Sequence, residues 1–203
     1  MSDSSHAATV EAPPFGIETK KFTMWLFILA DAATFAALLF AYGYLRAGSQ
    51  DWPRPFEFGT TIVNALIMTF ILLTSSLTML MAVHHAQAGR RPQSVKWIWI
   101  TALLGLLFAV LHLREWFKMF GEGWSLSANP MGGPVFFGSG FFSITGLHLT
   151  HVIIGVVALS VVAVKFGKGK LTAGHIETTG LYWHFVDLVW MFVLPIVYLM
   201  NAK

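Results

Sequence analysis

The sequence contains no cysteine and little charge. Of its 203 residues, 11% are Asp, Glu, Lys or Arg, whereas a typical soluble domain carries about 25%. The lack of cysteine excludes disulfides, Cys-ligated zinc and iron–sulfur clusters. The shortage of charge argues against a soluble globular protein and a disordered chain, since both need more polar surface. The 13 basic and 10 acidic residues are thinly spread, so no nucleic-acid partner is expected.

Hydrophobic residues make up 56% of the chain and form five long runs that are almost free of charge. A membrane-spanning helix needs roughly 20 mostly apolar residues, and a barrel would instead show short alternating segments. The runs therefore predict an all-α integral membrane protein. We expect a five-helix transmembrane domain over residues 22–203, with helices at about 22–45, 60–86, 96–117, 135–165 and 178–201. Residues 1–21 are predicted to form a flexible polar tail, because the segment is polar and rich in Ser, Ala and Pro. It lacks the features of a signal peptide.

The Lys and Arg residues between the runs predict the orientation, since cytoplasmic loops are enriched in them. A cytoplasmic N-terminus places eight on the inside: Lys20, Lys21, Arg90, Arg91, Lys96, Lys165, Lys168 and Lys170. It leaves five on the outside: Arg46, Arg54, Arg114, Lys118 and Lys203. The predicted topology is therefore N-terminus cytoplasmic and C-terminus periplasmic.

Five ionisable side chains lie well inside the predicted spans: Asp31, His148, His151, His184 and Asp187. Each costs about 3 kcal/mol or more near the membrane centre and so needs a partner or a function. One interpretation is that these polar groups hold helices together. The other is a proton-accessible or regulatory site, for which an Asp31–His151 hydrogen bond is the best candidate. His184 is the alternative partner of Asp31.

The histidines also raise the question of metal and haem. His151 and His184 would suit a haem if they faced one cavity, as in a b-type cytochrome. Copper or zinc needs three or four converging ligands, which the spacing does not indicate, so no metal site is predicted. No nucleophile motif, P-loop or dinucleotide fingerprint is present, so no catalytic residue is assigned. A further group on the cytoplasmic face would collect protons, bind zinc weakly or consist of ordinary interface residues: His84, His85, His175 and Glu177.

Several segments resemble subunit III of the haem-copper oxidases. Residues 182–190 (YWHFVDLVW), with Glu177 seven positions before the histidine, look like the last-helix signature of that family. Residues 145–155 (TGLHLTHVIIG) resemble the penultimate helix, with its two histidines three apart. Residues 24–31 (MWLFILAD) and 64–85 resemble two earlier segments. The resemblance covers almost the whole chain after residue 21.

The chain departs from the family pattern in three places. It matches the last five of the seven helices of the long form, as in shorter bacterial versions. Asp31 stands where the family normally has Glu, and quinol-oxidase versions often have Asp there. His112, three residues before Glu115, replaces the Gln of the usual pair. We count Glu115 among the buried polar residues.

The resemblance implies an accessory subunit without redox cofactors of its own, in a bacterial inner membrane. Haem and copper would lie in partner subunits, with subunit I as the main contact and subunit II, subunit IV and a respiratory supercomplex as further partners. Such subunits hold phospholipid in a cleft and support proton uptake and durability of the oxidase. Four residues near the inner interface are candidate lipid contacts, although ordinary aromatic-belt residues would look the same: Trp25, Lys96, Trp97 and Trp99.

Three functions remain open from the sequence. The leading one is subunit III of an aa3-type cytochrome c oxidase in aerobic respiration. The second is subunit III of a quinol oxidase, or the related subunit that accompanies nitric oxide reductase. The third belongs to a different class and is an independent membrane carrier or a b-type cytochrome.

Overall fold

A computed structural model describes residues 19–57 and 59–202 of the chain. This part forms five helices, each long and apolar enough to cross a membrane, which confirms the predicted all-α five-helix membrane fold. The predicted flexible tail falls mainly on residues 1–18, which lie outside the described residues. The helices are α1 (Thr19–Ala47), α2 (Thr60–Gln87), α3 (Arg91–Gly121), α4 (Phe136–Gly167) and α5 (Ala173–Val193).

Three helices begin earlier than the sequence predicted. Helix α1 begins at Thr19 instead of residue 22, α3 at Arg91 instead of 96, and α5 at Ala173 instead of 178. The predicted limits followed the edges of the charge-free runs, whereas the helices continue beyond those edges into their polar flanks. At α5 a capping box explains the early start, since the side chains of Thr172 and His175 satisfy each other's backbone N–H groups.

The last predicted helix does not run regularly to residue 201. Helix α5 ends at Val193 and is followed by a π-helical turn (Leu194–Tyr198) and a 3₁₀ turn (Leu199–Asn201). Pro195 lies within the π turn, where its missing N–H prevents a regular α-helical hydrogen bond. The buried amide of Asn201 then donates to Val197 O at 2.7 Å and closes the end of the chain.

Four helices form a tight bundle, and the first lies at its edge. Helix α3 packs between α2 and α4, while α5 packs against α2 and α4. Helix α1 contacts α4 and α5. Only 11% of the apolar stretch of α1 is buried, against 56% for the span that contains α5. We call the end of the bundle that holds Thr19 the N-face and the opposite end the C-face.

The centre of the bundle is organised around Trp183 of α5, which is fully buried. A Cβ atom added to either Gly105 of α3 or Gly155 of α4 would collide with the Trp183 ring. These two glycines therefore let α3 and α4 approach the indole closely, as small residues do between membrane helices.

Candidate functional site

Asp31 and His151 meet where α1 crosses α4. His151 Nε2 lies 3.2 Å from Asp31 Oδ2, and the two side chains are 13% and 14% exposed, respectively. Oδ2 has no hydrogen-bond partner among the described residues, so the contact is a close ion-pair approach without good hydrogen-bond alignment. The structure thus places together the two residues that the sequence singled out as the best pair.

The hydrogen bond of the other ring nitrogen of His151 determines which nitrogen carries the hydrogen in the neutral ring. His151 Nδ1 lies 2.8 Å from Leu147 O. Because a carbonyl oxygen only accepts, Nδ1 carries the hydrogen. A neutral His151 would then turn the lone pair of Nε2 toward the carboxylate of Asp31. The contact is favourable only when the pair holds one further proton, either on Nε2 or on the carboxyl group.

Neighbouring groups fix the position of the pair. The hydroxyl of Tyr182 donates to His151 O at 3.0 Å, which ties α5 to α4 at this level. The ring of Phe35 lies edge-on to the His151 ring, with centroids 5.5 Å apart. Phe35 is itself buried. The pair therefore lies in an aromatic environment of low polarity, where an electrostatic contact is stronger than in water.

His184 does not contact Asp31, so the alternative pairing predicted from the sequence is wrong. Its Nδ1 lies 2.6 Å from Ser76 Oγ of α2. Asp187, one turn further along α5, is buried and lies beside the same Ser76 hydroxyl, not beside Asp31. The two acids and the two histidines therefore do not form a single cluster.

His148 points into the aromatic core. Its ring stacks on Trp190 at 5.3 Å and meets Phe108 edge-on at 5.7 Å. His112 of α3 contacts the same two aromatic rings and is equally inaccessible to solvent. Within the described part of the chain, neither histidine has a hydrogen-bond partner. Both are core residues of the bundle. The sequence had placed His148 among the ionisable groups inside the spans, and His112 only among the departures from the family pattern.

Glu115 lies toward the C-face, away from the acid–histidine pair. It is buried and accepts a hydrogen bond from Asn64 Nδ2 of α2 at 2.7 Å. The contact links α2 to α3 at the end where α2 begins.

The proposed group of four residues on the cytoplasmic face divides into two. His175 contacts Lys20 at 3.1 Å, and Glu177 pairs with Lys21. The rings of His84 and His85 meet edge-on at the end of α2, where Arg90 approaches His84. Among residues 19–57 and 59–202, no three His, Cys, Asp or Glu side chains converge as metal ligands. The first pair instead ties α1 to α5 at the N-face.

The four candidate lipid contacts lie near the N-face on α1 and α3. Trp25, Lys96 and Trp99 are exposed, and Trp97 is half-buried. Sequence reasoning missed Ser76 and Tyr182 as partners of the histidines. The paired serines of residues 75–76 were the available signal, because a polar pair in an apolar helix needs partners.

The sequence matches the family model of cytochrome c oxidase subunit III over residues 5–202. It is 33% identical to cytochrome c oxidase subunit 3 of Alkalihalophilus pseudofirmus, covering 88% of this chain and 85% of that protein. It is 36% identical to quinol oxidase subunit 3 of Bacillus subtilis, covering 87% of this chain and 85% of that protein. It is 34% identical to cytochrome c oxidase subunit 3 of the same organism, covering 87% of this chain and 84% of that protein.

Proposed function

The chain belongs to the cytochrome c oxidase subunit III family, and from this premise we propose that it serves an aa3-type cytochrome c oxidase in aerobic respiration. As subunit III of a haem-copper oxidase it is a component of a terminal oxidase and a multi-pass membrane protein. In this proposal O₂ reduction takes place in a partner chain, and this chain has no redox centre of its own. The bacterial relatives favour a bacterial inner membrane. The excess of Lys and Arg at the N-face favours an N-terminus in the cytoplasm.

The observation that carries the accessory role is the contact between Asp31 and His151. It joins the peripheral helix α1 to the bundle and needs one proton in addition to that on Nδ1. An ionisable pair inside a membrane span is costly and is typical of a functional site. We infer that the pair supports proton uptake and the durability of the oxidase.

Helix α1 is our candidate for the main contact with subunit I. Its outward side chains are large and apolar, and most of its apolar stretch is uncovered by the rest of the chain. The exposed residues include Trp25, Leu29, Phe40 and Tyr44. Subunit II, subunit IV and a respiratory supercomplex are further partners in this proposal.

A phospholipid is proposed to bind in a cavity of about 220 Å³ at the N-face, between α1, α4 and α5. Basic and hydroxyl side chains lie next to apolar ones there, which suits an anionic headgroup with its acyl chains. The lining residues are Lys20, Val161, Val162, Lys165, Leu171, His175, Thr178 and Thr179. Trp25, Lys96, Trp97 and Trp99 would flank lipid at the same membrane depth.

The second candidate function is subunit III of a quinol oxidase. Asp31 favours it, because quinol-oxidase versions often carry Asp at this position. The similarity to the Bacillus subtilis quinol oxidase subunit matches that to the cytochrome c oxidase subunits. The choice of electron donor therefore depends on subunit II of the same complex.

Purification through a tag on this chain tests the proposal. Mass spectrometry should identify a haem-copper subunit I and a copper-containing subunit II, and the complex should oxidise reduced cytochrome c. Oxidation of quinol, with no copper site in subunit II, would instead establish the second function. A chain isolated without haem-copper partners would contradict both. A Soret band from the isolated chain would contradict the accessory role and favour a b-type cytochrome.

A further inference from the structure

A polar cavity opens at the C-face where α2 begins and α3 ends. It consists of two adjoining parts of about 280 and 240 Å³, which share Thr61, Glu115 and Lys118. We call the two parts together the α2–α3 cavity. The first part is also lined by Thr60, Asn64 and Arg114, and the second by Pro55, Phe56, Glu57, Met119 and Glu122.

One side of this cavity offers groups that bind an anion. Helix α2 begins there after Gly59, and no side chain of the described residues caps it, so its first backbone N–H groups can bind a negative charge. Thr61 is only 8% exposed, and its hydroxyl makes no hydrogen bond within the described part of the chain. Arg114 has no acidic partner among the same residues, and a guanidinium is well suited to phosphate. Each group lines the same part of the cavity.

The other side offers groups that bind a cation. Glu115 is 6% exposed, and Asn64 donates to its Oε2, which leaves Oε1 without a partner among the described residues. Glu57 is exposed and makes no ion pair within that part of the chain. Lys118 lines both parts of the cavity, and its Nζ is 3.8 Å from Glu122 Oε1. The cavity therefore places unpaired positive and negative groups next to each other.

Apolar side chains continue from the cavity along the two helices. Val63 and Ile67 of α2 are about half exposed, as is Val110 of α3. Phe117, adjacent to Lys118, is 70% exposed. A ligand with a charged head and apolar tails would find suitable surface for both parts here.

We infer that the α2–α3 cavity binds the headgroup of phosphatidylethanolamine. The phosphate would lie at the start of α2 with Thr61 and Arg114, and the ammonium group would face Glu57 and Glu115. Phosphatidylglycerol lacks the ammonium group, and the quaternary ammonium of phosphatidylcholine cannot donate hydrogen bonds to a carboxylate. This site lies at the opposite end of the bundle from the lipid cavity proposed at the N-face, so the two inferences are independent.

The test uses the purified oxidase complex in nanodiscs of phosphatidylcholine with added phosphatidylethanolamine. Native mass spectrometry counts the ethanolamine lipids retained after release from the nanodisc. Arg114→Gln and Glu57→Gln each remove one charge from an exposed side chain, so folding should be unaffected. Each should weaken retention about tenfold, as expected for the loss of one charge-assisted hydrogen bond. Arg54→Gln, which removes a positive charge from another cavity of the same face, is the matched control.

Three results would overturn the inference. The first is unchanged retention in both variants. The second is equal retention of phosphatidylglycerol at the same concentration, which would show that the ammonium group is not recognised. The third is loss of the lipid in Arg54→Gln as well, which would indicate a general effect of surface charge. Competition by soluble glycerophosphoethanolamine would further support recognition of the headgroup.

Discussion

The indole nitrogen of Trp183 donates a hydrogen bond to Ser75 Oγ at 3.0 Å, which ties α5 to α2 in the interior of the bundle. Both residues are fully buried. The Trp183 ring simultaneously fills the space left by the glycines of α3 and α4. One side chain therefore holds all four helices of the tight bundle, which gives the tryptophan of the last-helix signature a structural role.

Gly105→Ala should destabilise the protein, because the added methyl group would overlap the Trp183 ring. Overpacking of this kind costs about 1–3 kcal/mol. Gly155→Ala should have a similar effect from the α4 side. The measurement is the temperature at which the detergent-solubilised oxidase loses this subunit.

Gly43→Ala is the control for that prediction. It lies within α1, and a Cβ atom there meets nothing within 4 Å. Alanine is favoured over glycine inside a helix by about 0.5–1 kcal/mol, so this variant should be neutral or slightly stabilising. Equal loss of stability in Gly43→Ala and Gly105→Ala would contradict a role for close packing around Trp183.

The positions of the helices were predictable because a membrane span has few and simple sequence requirements. A span must be long, apolar and helical, so the charge-free runs located all five. The helix ends were less predictable, since their polar flanks are governed by local hydrogen bonds such as that between Thr172 and His175. The π turn at Pro195 depends on how the chain packs at its end, and proline alone does not determine it.

Pairing between helices was predicted only where chemistry left few choices. Asp31 needs a partner inside the membrane, and histidine spacing limited the candidates. The prediction of His184 as the alternative partner of Asp31 was wrong. A serine hydroxyl serves equally well as the hydrogen-bond partner of His184, and serines are common in such helices. The cavity between α2 and α3 was not predicted, because Glu57, Thr61 and Arg114 are brought together only by the packing of two helices.

Substitution of Asp31 should separate a packing role from a proton-related one. Asp31→Ala removes the contact with His151 and should leave single-turnover O₂ chemistry intact while shortening the catalytic life of the oxidase. Asp31→Asn keeps the shape of the side chain, and its amide can donate to the lone pair of His151 Nε2. The variant lacks the carboxyl group and therefore cannot take up or release a proton there. The measurement is the rate of inactivation during steady-state turnover.

The two variants give distinct outcomes. A proton-related role predicts that both Asp31→Asn and Asp31→Ala lose durability. A packing role alone predicts that Asp31→Asn behaves as wild type and only Asp31→Ala fails. Wild-type turnover and inactivation rates in both variants would show that the pair contributes neither.

Asn201→Ala should loosen the C-face. The amide of Asn201 donates to Tyr42 Oη at 2.8 Å, and its carbonyl oxygen accepts from Trp52 Nε1 at 2.8 Å. Loss of both bonds leaves polar groups without partners in a buried region, at about 1–3 kcal/mol for each such group. Limited proteolysis of the loop between α1 and α2 should become faster. Ser49→Ala should leave the cleavage rate unchanged, because among the described residues the Ser49 hydroxyl bonds to Leu45 O of the adjacent helical turn.

The orientation can be tested directly because the chain contains no cysteine. Lys168→Cys places a single thiol in the exposed loop between α4 and α5, and Arg54→Cys places one in the loop between α1 and α2. The excess of Lys and Arg at the N-face predicts that this face is cytoplasmic. A membrane-impermeant maleimide added to intact spheroplasts should therefore label the Arg54→Cys variant and not the Lys168→Cys variant. Lysis should expose both thiols, which controls for reactivity, and the reverse pattern before lysis would establish the opposite topology.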